Sequence, residues 1–285
     1  MNKYSRLSRT RSNTFTTVRY LEYWGDLYPT QELFKDPFDG FRTDRFRDTF
    51  NDIGIDLDEE KRITIVIPTL NEARNIEAVI NELHNSNFAK ILVIDGNSRD
   101  NTAGIARSMG INVLDQLGKG KGSALRQAFE YDGMGEYVIM MDADGSMDPK
   151  EIPSFIESLR NGADVVKGSR FMSGGRSDDM TSIRRIGNKI FVHLANLIHG
   201  SKYTDLCYGY AAFRKTALHK LQPHLKSTGF EIETELFIKA QKLGLKITEV
   251  PSIEYPRKNG QSNLNAIRDG LKILKTIFRE KRSSD

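Results

Sequence analysis

Ile63-Thr64-Ile65-Val66-Ile67-Pro68-Thr69-Leu70-Asn71-Glu72 joins a β-branched run to a polar turn, and its reading decides the fold. A run with no solvent-facing alternation is the pattern of a strand buried on both faces of a parallel sheet. Pro68 is expected to end that strand, because proline cannot donate to a ladder. Ile76, Val79, Ile80 and Leu83 follow at i, i+3, i+4 and i+7, one face of a helix that Asn71 is placed to cap. The unit then recurs: a strand over 90–95, a short helix stopped by Gly110, a strand over 111–114, a glycine loop over 118–122, a helix through Phe129 and a strand over 137–141. Such alternation predicts an α/β fold with a mostly parallel central sheet flanked by helices, whose ligands bind past the carboxyl ends of the strands.

Farther along, Asp148 and Pro149 read as cap and first position of a helix that ends at Gly162, before a strand over 163–166. Residues 171–182 read as a loop of lid-like length, followed by a helix over 183–198. A helix over 233–242, a strand over 246–250, a polar loop over 256–263 and a last helix to about residue 282 complete the domain. That last helix, in segment 265–285, carries Ile267, Leu271, Leu274 and Phe278 at helical spacing among basic residues. Packing of this stripe onto the domain is the expected role; seating on an anionic membrane surface is the alternative. Residues 1–60, dense in aromatics and charges, read as an N-terminal extension before the main domain of residues 61–264. Disordered segments are aromatic-poor, so the extension is expected to wrap the domain or join a second subunit in a homo-oligomer.

A 285-residue chain with 38% hydrophobic residues can bury a substantial core. No window offers the roughly 18 uninterrupted apolar residues of a membrane-spanning helix. The single Cys207 excludes an internal disulfide and a cysteine-built zinc site, which suits a reducing compartment. A cytoplasmic location, with peripheral contact at the inner face of a membrane, is the expectation. A net charge of +4 favours anionic partners, and nucleic acid is not expected among them. The five histidines show no metal-ligand grouping.

Asp142 and Asp144 follow directly on the apolar strand 137–141, and alternation would point both carboxylates the same way. Two hard oxygen ligands suit Mg²⁺ or Mn²⁺, with phosphate oxygens and water completing the shell; a turn that merely solvates two acids is the bland alternative. A helix-loop-helix calcium loop fits worse, since Met147 stands where its glycine belongs. Asp95 ends the second strand before a polar turn and can hold a base or ribose; Ser98 or Asp100 can cap the next helix. Gly118-Lys119-Gly120-Lys121-Gly122 lets backbone and two lysines approach phosphate before a helix amino end. It matches neither the mononucleotide loop nor the dinucleotide fingerprint, which removes the main support for a kinase or dehydrogenase. Arg170, Arg184, Arg185 and Arg257 lie in loops or at strand ends, where forked guanidinium groups can clamp phosphates.

Taken in order, these segments resemble the family 2 glycosyltransferases, especially the branch of dolichyl-phosphate mannose and glucose synthases. The likeness runs from about residue 62 to 265 and includes Ile67-Pro68-Thr69-Leu70-Asn71-Glu72, Asp95-Gly96-Asn97-Ser98, the glycine loop, Asp142-Ala143-Asp144-Gly145, Lys167-Gly168-Ser169-Arg170-Phe171, Thr204-Asp205, Gly229-Phe230-Glu231-Ile232-Glu233 and Tyr255-Pro256-Arg257 with Gly260-Gln261-Ser262. The resemblance implies a GT-A fold, a nucleotide-diphospho-sugar donor, a metal at Asp142 and Asp144, and inversion in one displacement. It implies that Pro68, Asn71, Glu72 and Asp95 surround the nucleoside and that Arg257 and Ser262 touch the diphosphate, near Lys119 and Lys121. Arg170, Arg184 and Asn188 would face the phosphate of a polyprenyl acceptor, which needs no general base. A soluble or saccharide hydroxyl acceptor would need one, with Asp205 the first candidate, then Glu233 and Glu231. The sequence departs from the branch at Ser146, where a glutamine is common, and at Asn263, where a lysine is. A non-catalytic nucleotide-sugar or nucleic-acid binding module is the reading of another class.

Overall fold

The structure, a computed structural model, describes residues 62–88 and 90–282; the extension of residues 1–60 lies outside the described residues. Along the described residues run β1 (Ile63–Thr69), α1 (Ile76–Asn85), β2 (Ile91–Asp95), α2 (Thr102–Ser108), β3 (Asn112–Asp115), α3 (Lys121–Phe129) and β4 (Tyr137–Met140). A 3₁₀ turn (Pro149–Glu151) leads into α4 (Ile152–Arg160), followed by β5 (Val165–Ser169), β6 (Arg176–Ser177), α5 (Ser182–His199), β7 (Ala211–Arg214) and α6 (Lys215–Leu221). Last come α7 (Ile232–Lys242), β8 (Ile247–Pro251), β9 (Ile253–Glu254) and α8 (Ala266–Arg282).

Seven strands form one sheet in the order β3-β2-β1-β4-β7-β5-β8. All its pairings are parallel except those of β7, which lies antiparallel between β4 and β5. The alternation of side chains across the pleat explains why the central strands are apolar throughout. Ile63, Ile65 and Ile67 of β1 join Val93, Ile139 and the buried faces of α1 and α4 on one side. Val66, Leu92, Ile94 and Met140 join α3, α6 and α7 on the other. Two cores, one per face, therefore consume both registers of each strand. β6 and β9 make a separate two-stranded ribbon.

Pro68 does not end β1. The strand continues to Thr69, paired with Asp95 of β2, while its pairing with β4 stops at Val66 opposite Met140. Thr69 O accepts from the Gly96 amide on the β2 side, so its neighbour Pro68 faces the β4 side beyond the last ladder bond. The missing N–H costs nothing there. Nor does Asn71 cap α1: the helix begins at Ile76, and Asn71 sits in the left-handed region at φ 57° within the preceding loop. Asp148 does accept from the Lys150 amide at 2.9 Å, with Pro149 in the first turn, as read from the sequence.

The last helix inverts the expected packing. Its buried stripe is Asp269, Gly270, Ile273, Thr276, Ile277 and Glu280, whereas Ile267, Leu271 and Phe278 are exposed. Burial of the acids is compensated locally. Asp269 accepts from the Asn265 amide at 2.9 Å, and Glu280 pairs with Lys239 of α7 at 2.7 Å. No helix among the described residues is long and apolar enough to cross a membrane.

Candidate active site

The turns that follow β1, β2 and β4 meet at the carboxyl ends of these parallel strands. Asn71 ties the first two together: its amide donates to Ser98 Oγ at 2.9 Å and its Oδ1 accepts from the Arg99 amide at 2.8 Å. Asp95 is 4% exposed and accepts from Thr69 Oγ1 (3.1 Å), Ser98 Oγ (2.6 Å) and the Ser98 amide (2.9 Å). Asp100 closes the turn, accepting from the Ala73 and Thr102 amides, each at 3.1 Å. Leu70, Asn71, Glu72, Asp100, Arg257 and Asn259 are among the residues lining a cleft of about 260 Å³ beside these turns. Pro68 is partly exposed.

Asp142-Ala143-Asp144 forms a turn past β4 rather than extended chain, yet the alternation survives in burial. Ala143 packs into the core at 3% exposure, and both flanking carboxylates stay partly open. Each carboxylate carries a cation of the protein. Lys121 Nζ lies 2.6 Å from Asp142 Oδ1 and 2.6 Å from Glu233 Oε1; Arg257 Nη2 lies 3.0 Å from Asp144 Oδ2 while its Nη1 reaches Glu72 Oε1 at 2.8 Å. Burial opposes the Lys121 charge, but Asp142 and Glu233 outweigh it and hold the ammonium above its ordinary value. Burial raises the Glu233 carboxyl, against the pull of Lys121. The loop after β9 folds over this turn: the Tyr255 amide donates to Ser146 O at 2.9 Å and the Lys258 amide to Asp144 O at 3.1 Å. Among the described residues no three His, Cys, Asp or Glu side chains cluster as a metal site. The two carboxylates are hard oxygen donors of the kind that suits Mg²⁺ or Mn²⁺.

The two lysines of the glycine loop diverge, Lys119 pointing outward and Lys121 inward. A Cβ on Gly122 would stand 2.5 Å from Ser227 O and 2.8 Å from Thr228 C, so the start of α3 lies directly on the loop before α7. Gly122→Ala is expected to lower stability by about 1–3 kcal/mol through this backbone clash. Urea denaturation checks it, and an unchanged midpoint would mean that the 227–229 loop yields freely.

Arg170, Asp205 and Glu254 form a second, buried cluster. Arg170 Nε and Nη2 grip Asp205 at 2.7 and 3.0 Å, Nη1 donates to both Glu254 oxygens at 3.1 Å, and Nη2 also donates to Cys207 O at 2.7 Å. Every N–H of the guanidinium is thus spent, and its Cζ lies 4.5 Å from the Tyr208 ring centroid. Burial alone would raise the Asp205 carboxyl, but Lys167 and Arg170 outweigh it and hold it below the ordinary range. Arg184 is more open, 3.5 Å from Asp179 and 3.9 Å from Glu254. Asn188 Oδ1 accepts from the Leu206 and Cys207 amides at 3.2 and 3.1 Å; its buried Nδ2 has no protein partner. Ser262 is exposed, its hydroxyl accepting from the Leu264 amide at 3.2 Å. Glu231 accepts from the Gly229 amide through Oε1 at 3.1 Å, and its buried Oε2 has no partner.

Residues 64–222 match the model of Glycosyl transferase family 2. The chain is a family 2 glycosyltransferase. This glycosyltransferase is 38% identical over 224 residues to glycosyltransferase AglJ of Haloferax volcanii, a match covering 78% of this chain and 73% of AglJ. It is 31% identical to a dolichyl-phosphate hexose transferase of the same organism, over 76% of this chain and 92% of that protein. Among solved structures, glucosyl-3-phosphoglycerate synthase of Mycobacterium tuberculosis in complex with Mn²⁺ and UDP-glucose shares the fold. The TM-score is 0.62 at 21% identity, over 80% of this chain and 83% of that one. The GT-A-type α/β fold expected from the sequence is thereby established for the glycosyltransferase.

Several residues of these clusters escaped the sequence reading. Glu254 anchors Arg170 and Arg184; Asn259 donates to Asn75, a residue of the family likeness given no role of its own, and Asn75 in turn donates to Glu72. Lys167, named in the family likeness without a role of its own, is fully buried beside Glu249, 3.6 Å away. A lysine inside an apolar strand was the available signal for that pair. Glu254 offered none beyond its place three residues before Arg257.

Proposed function

We propose that the glycosyltransferase moves a hexose from a UDP- or GDP-sugar to a polyprenyl phosphate at a membrane surface, with inversion at the anomeric carbon. The observation that carries the donor half is the pairing of Lys121 and Arg257 with the two carboxylates of Asp142-Ala143-Asp144, beside the cleft past β1 and β2. Both cations are placed to turn from carboxylate to diphosphate oxygens without leaving the site. Mg²⁺ or Mn²⁺ held by Asp142 and Asp144 would act as a Lewis acid on the departing diphosphate. Pro68, Asn71, Glu72 and Asp95 border the nucleoside, with Asp95 fixing the turn. Lys119 and Ser262, both exposed, are free to meet phosphate.

On the acceptor side, the names of relatives such as the dolichyl-phosphate hexose transferase support a lipid phosphate. Arg184 and the unpartnered Asn188 Nδ2 hold that phosphate, and Arg170 positions them through Glu254 and the Cys207 carbonyl. A phosphate oxygen attacks the anomeric carbon, the bond from that carbon to the diphosphate oxygen breaks, and nucleoside diphosphate leaves. The nucleophile is already anionic, so no proton is moved. Asp205, with both oxygens on Arg170, then serves to hold the guanidinium, and Glu233 to hold Lys121.

Incubation with radiolabelled UDP- and GDP-hexoses, Mn²⁺ and undecaprenyl phosphate is expected to place label in the organic phase. Label confined to a water-soluble product, with a saccharide hydroxyl as acceptor, would replace this reading with its alternative. In that case Glu233 and Glu231 become the bases to test.

A further inference from the structure

α5 and α8 lie side by side. Phe191 of α5 is 3.4 Å from where a Gly270 Cβ would stand, and eight residues on, His199 Nε2 is 3.0 Å from Ile277 O, so the helices run in the same direction. Their buried faces point to the core through Asn188, Ala195, Ile273 and Ile277. Their outer faces are apolar where they border the shared seam. On α5 these are Ile183, Ile186, Ile190 and Leu197, the last 73% exposed; on α8 they are Ile267, Leu271 and Phe278, the first 77% exposed. Leu194 and Leu274, half-buried, lie between the two rows. At 100° per residue, Lys189 and Arg185 fall on the outer flank of the α5 row, and Lys272, Lys275 and Arg268 on the outer flank of the α8 row. α5 contains no acid, and the two acids of α8, Asp269 and Glu280, are buried and paired. The combined surface is an apolar stripe two helices wide, edged by cations on both sides, with no exposed carboxylate on either helix.

We infer that the joined outer faces of α5 and α8 seat the glycosyltransferase on an anionic lipid bilayer. A water-soluble monomer seldom exposes a continuous apolar patch of this kind without a use for it. The cationic edges without acids complement a surface of phosphate headgroups and not a typical mixed-charge protein surface. Position adds a second argument: α5 presents Arg184 and Asn188 from its inner side, so in the proposed reaction the helix that would contact lipid also borders the acceptor phosphate. This deepens the proposed reaction and rests on it for the place of the acceptor.

Flotation of the full chain with vesicles of phosphatidylcholine, with or without phosphatidylglycerol, tests the surface directly. The chain is expected to float with the anionic vesicles only, and less so as salt rises. Ile190→Glu combined with Leu271→Glu is expected to weaken that binding by at least about tenfold, since each side chain contributes partition energy of that order. Both positions are exposed, and thermal melting of the variant checks that it is folded. Lys189→Gln with Lys275→Gln, which leaves the apolar rows intact, is expected to weaken the salt dependence, with Arg185, Arg268 and Lys272 still in place. On a short-chain, water-soluble polyprenyl phosphate the Ile190→Glu/Leu271→Glu variant keeps its rate; on acceptor embedded in anionic vesicles it loses it. The inference is overturned if the native chain does not float with anionic vesicles, or if the apolar variant floats equally well. It is also overturned if sedimentation shows a dimer that this variant splits, which makes a second copy the occupant. Absence of turnover by the native chain on any polyprenyl phosphate would defeat the reaction and leave the vesicle result standing.

Discussion

Asp142→Asn is expected to lower turnover about a hundred- to a thousandfold, the range seen when one preorganised charge contact at a developing leaving-group charge is removed. The carboxylate stands at the end of β4, on a turn fixed from below by buried Ala143 and from above by the Ser146 and Asp144 carbonyls that accept from the 255–258 loop. The asparagine fills the same volume, so the turn persists. What changes is charge. Lys121 then shares its ammonium with Glu233 alone, and the site loses one of the two anionic ligands proposed for a divalent cation. The expected signature is a lower kcat together with a higher Mn²⁺ requirement, while melting temperature stays near the native value because Asp142 is about a third exposed. Turnover retained at the native rate and Mn²⁺ dependence would sink the assignment of Asp142 as a metal ligand.

The parts of the site that were legible in the sequence are those built by local rules. A strand followed at once by two alternating acids announces itself, as does a polar turn after β2 and a glycine loop before α3. What was hidden depends on tertiary packing. β7 was not read as a strand because Ala211-Ala212-Phe213-Arg214 is short and poor in β-branched residues; it exists because β4 and β5 offer it edges on both sides. The face of α8 was read inverted because hydrophobic spacing selected Ile267, Leu271 and Phe278. The fold instead buries a stripe containing Asp269 and Glu280, whose partners, Asn265 and Lys239, come from the cap and from α7. Arg170 stood out by position, but its burial did not, because Glu254 and Asp205 converge on it from 84 and 35 residues away in the chain.

Arg170→Leu should be the most destabilising single change in this part of the protein. The native guanidinium satisfies Asp205, which has no exposed surface, and Glu254, which has little. Removing it leaves two buried carboxylates in one cluster, facing only Lys167 and the partly open Arg184. Breaking a buried pair from one side costs about 3–5 kcal/mol, because the abandoned charge cannot regain its hydration. The acid dependence follows with a definite sign. In the native protein the Asp205 carboxyl sits below its ordinary range, so it contributes stability above the unfolded value and loses that contribution as pH falls through the depressed folded value. Without Arg170 only Lys167 still opposes burial, so that carboxyl moves up from its depressed native position, acid unfolding should begin at higher pH in the variant, and protonation should relieve part of its instability. Arg170→Leu/Asp205→Leu, which removes both charges, should recover part of the loss, since the cost lies in the unpaired charge and not in the missing pair. Urea denaturation of the three proteins at neutral pH, repeated through an acid series, reads all of this. A single variant within about 1 kcal/mol of native, the ordinary effect of a surface substitution or slightly more, would mean that water reaches this cluster. Arg170 would then be free to meet the acceptor phosphate itself.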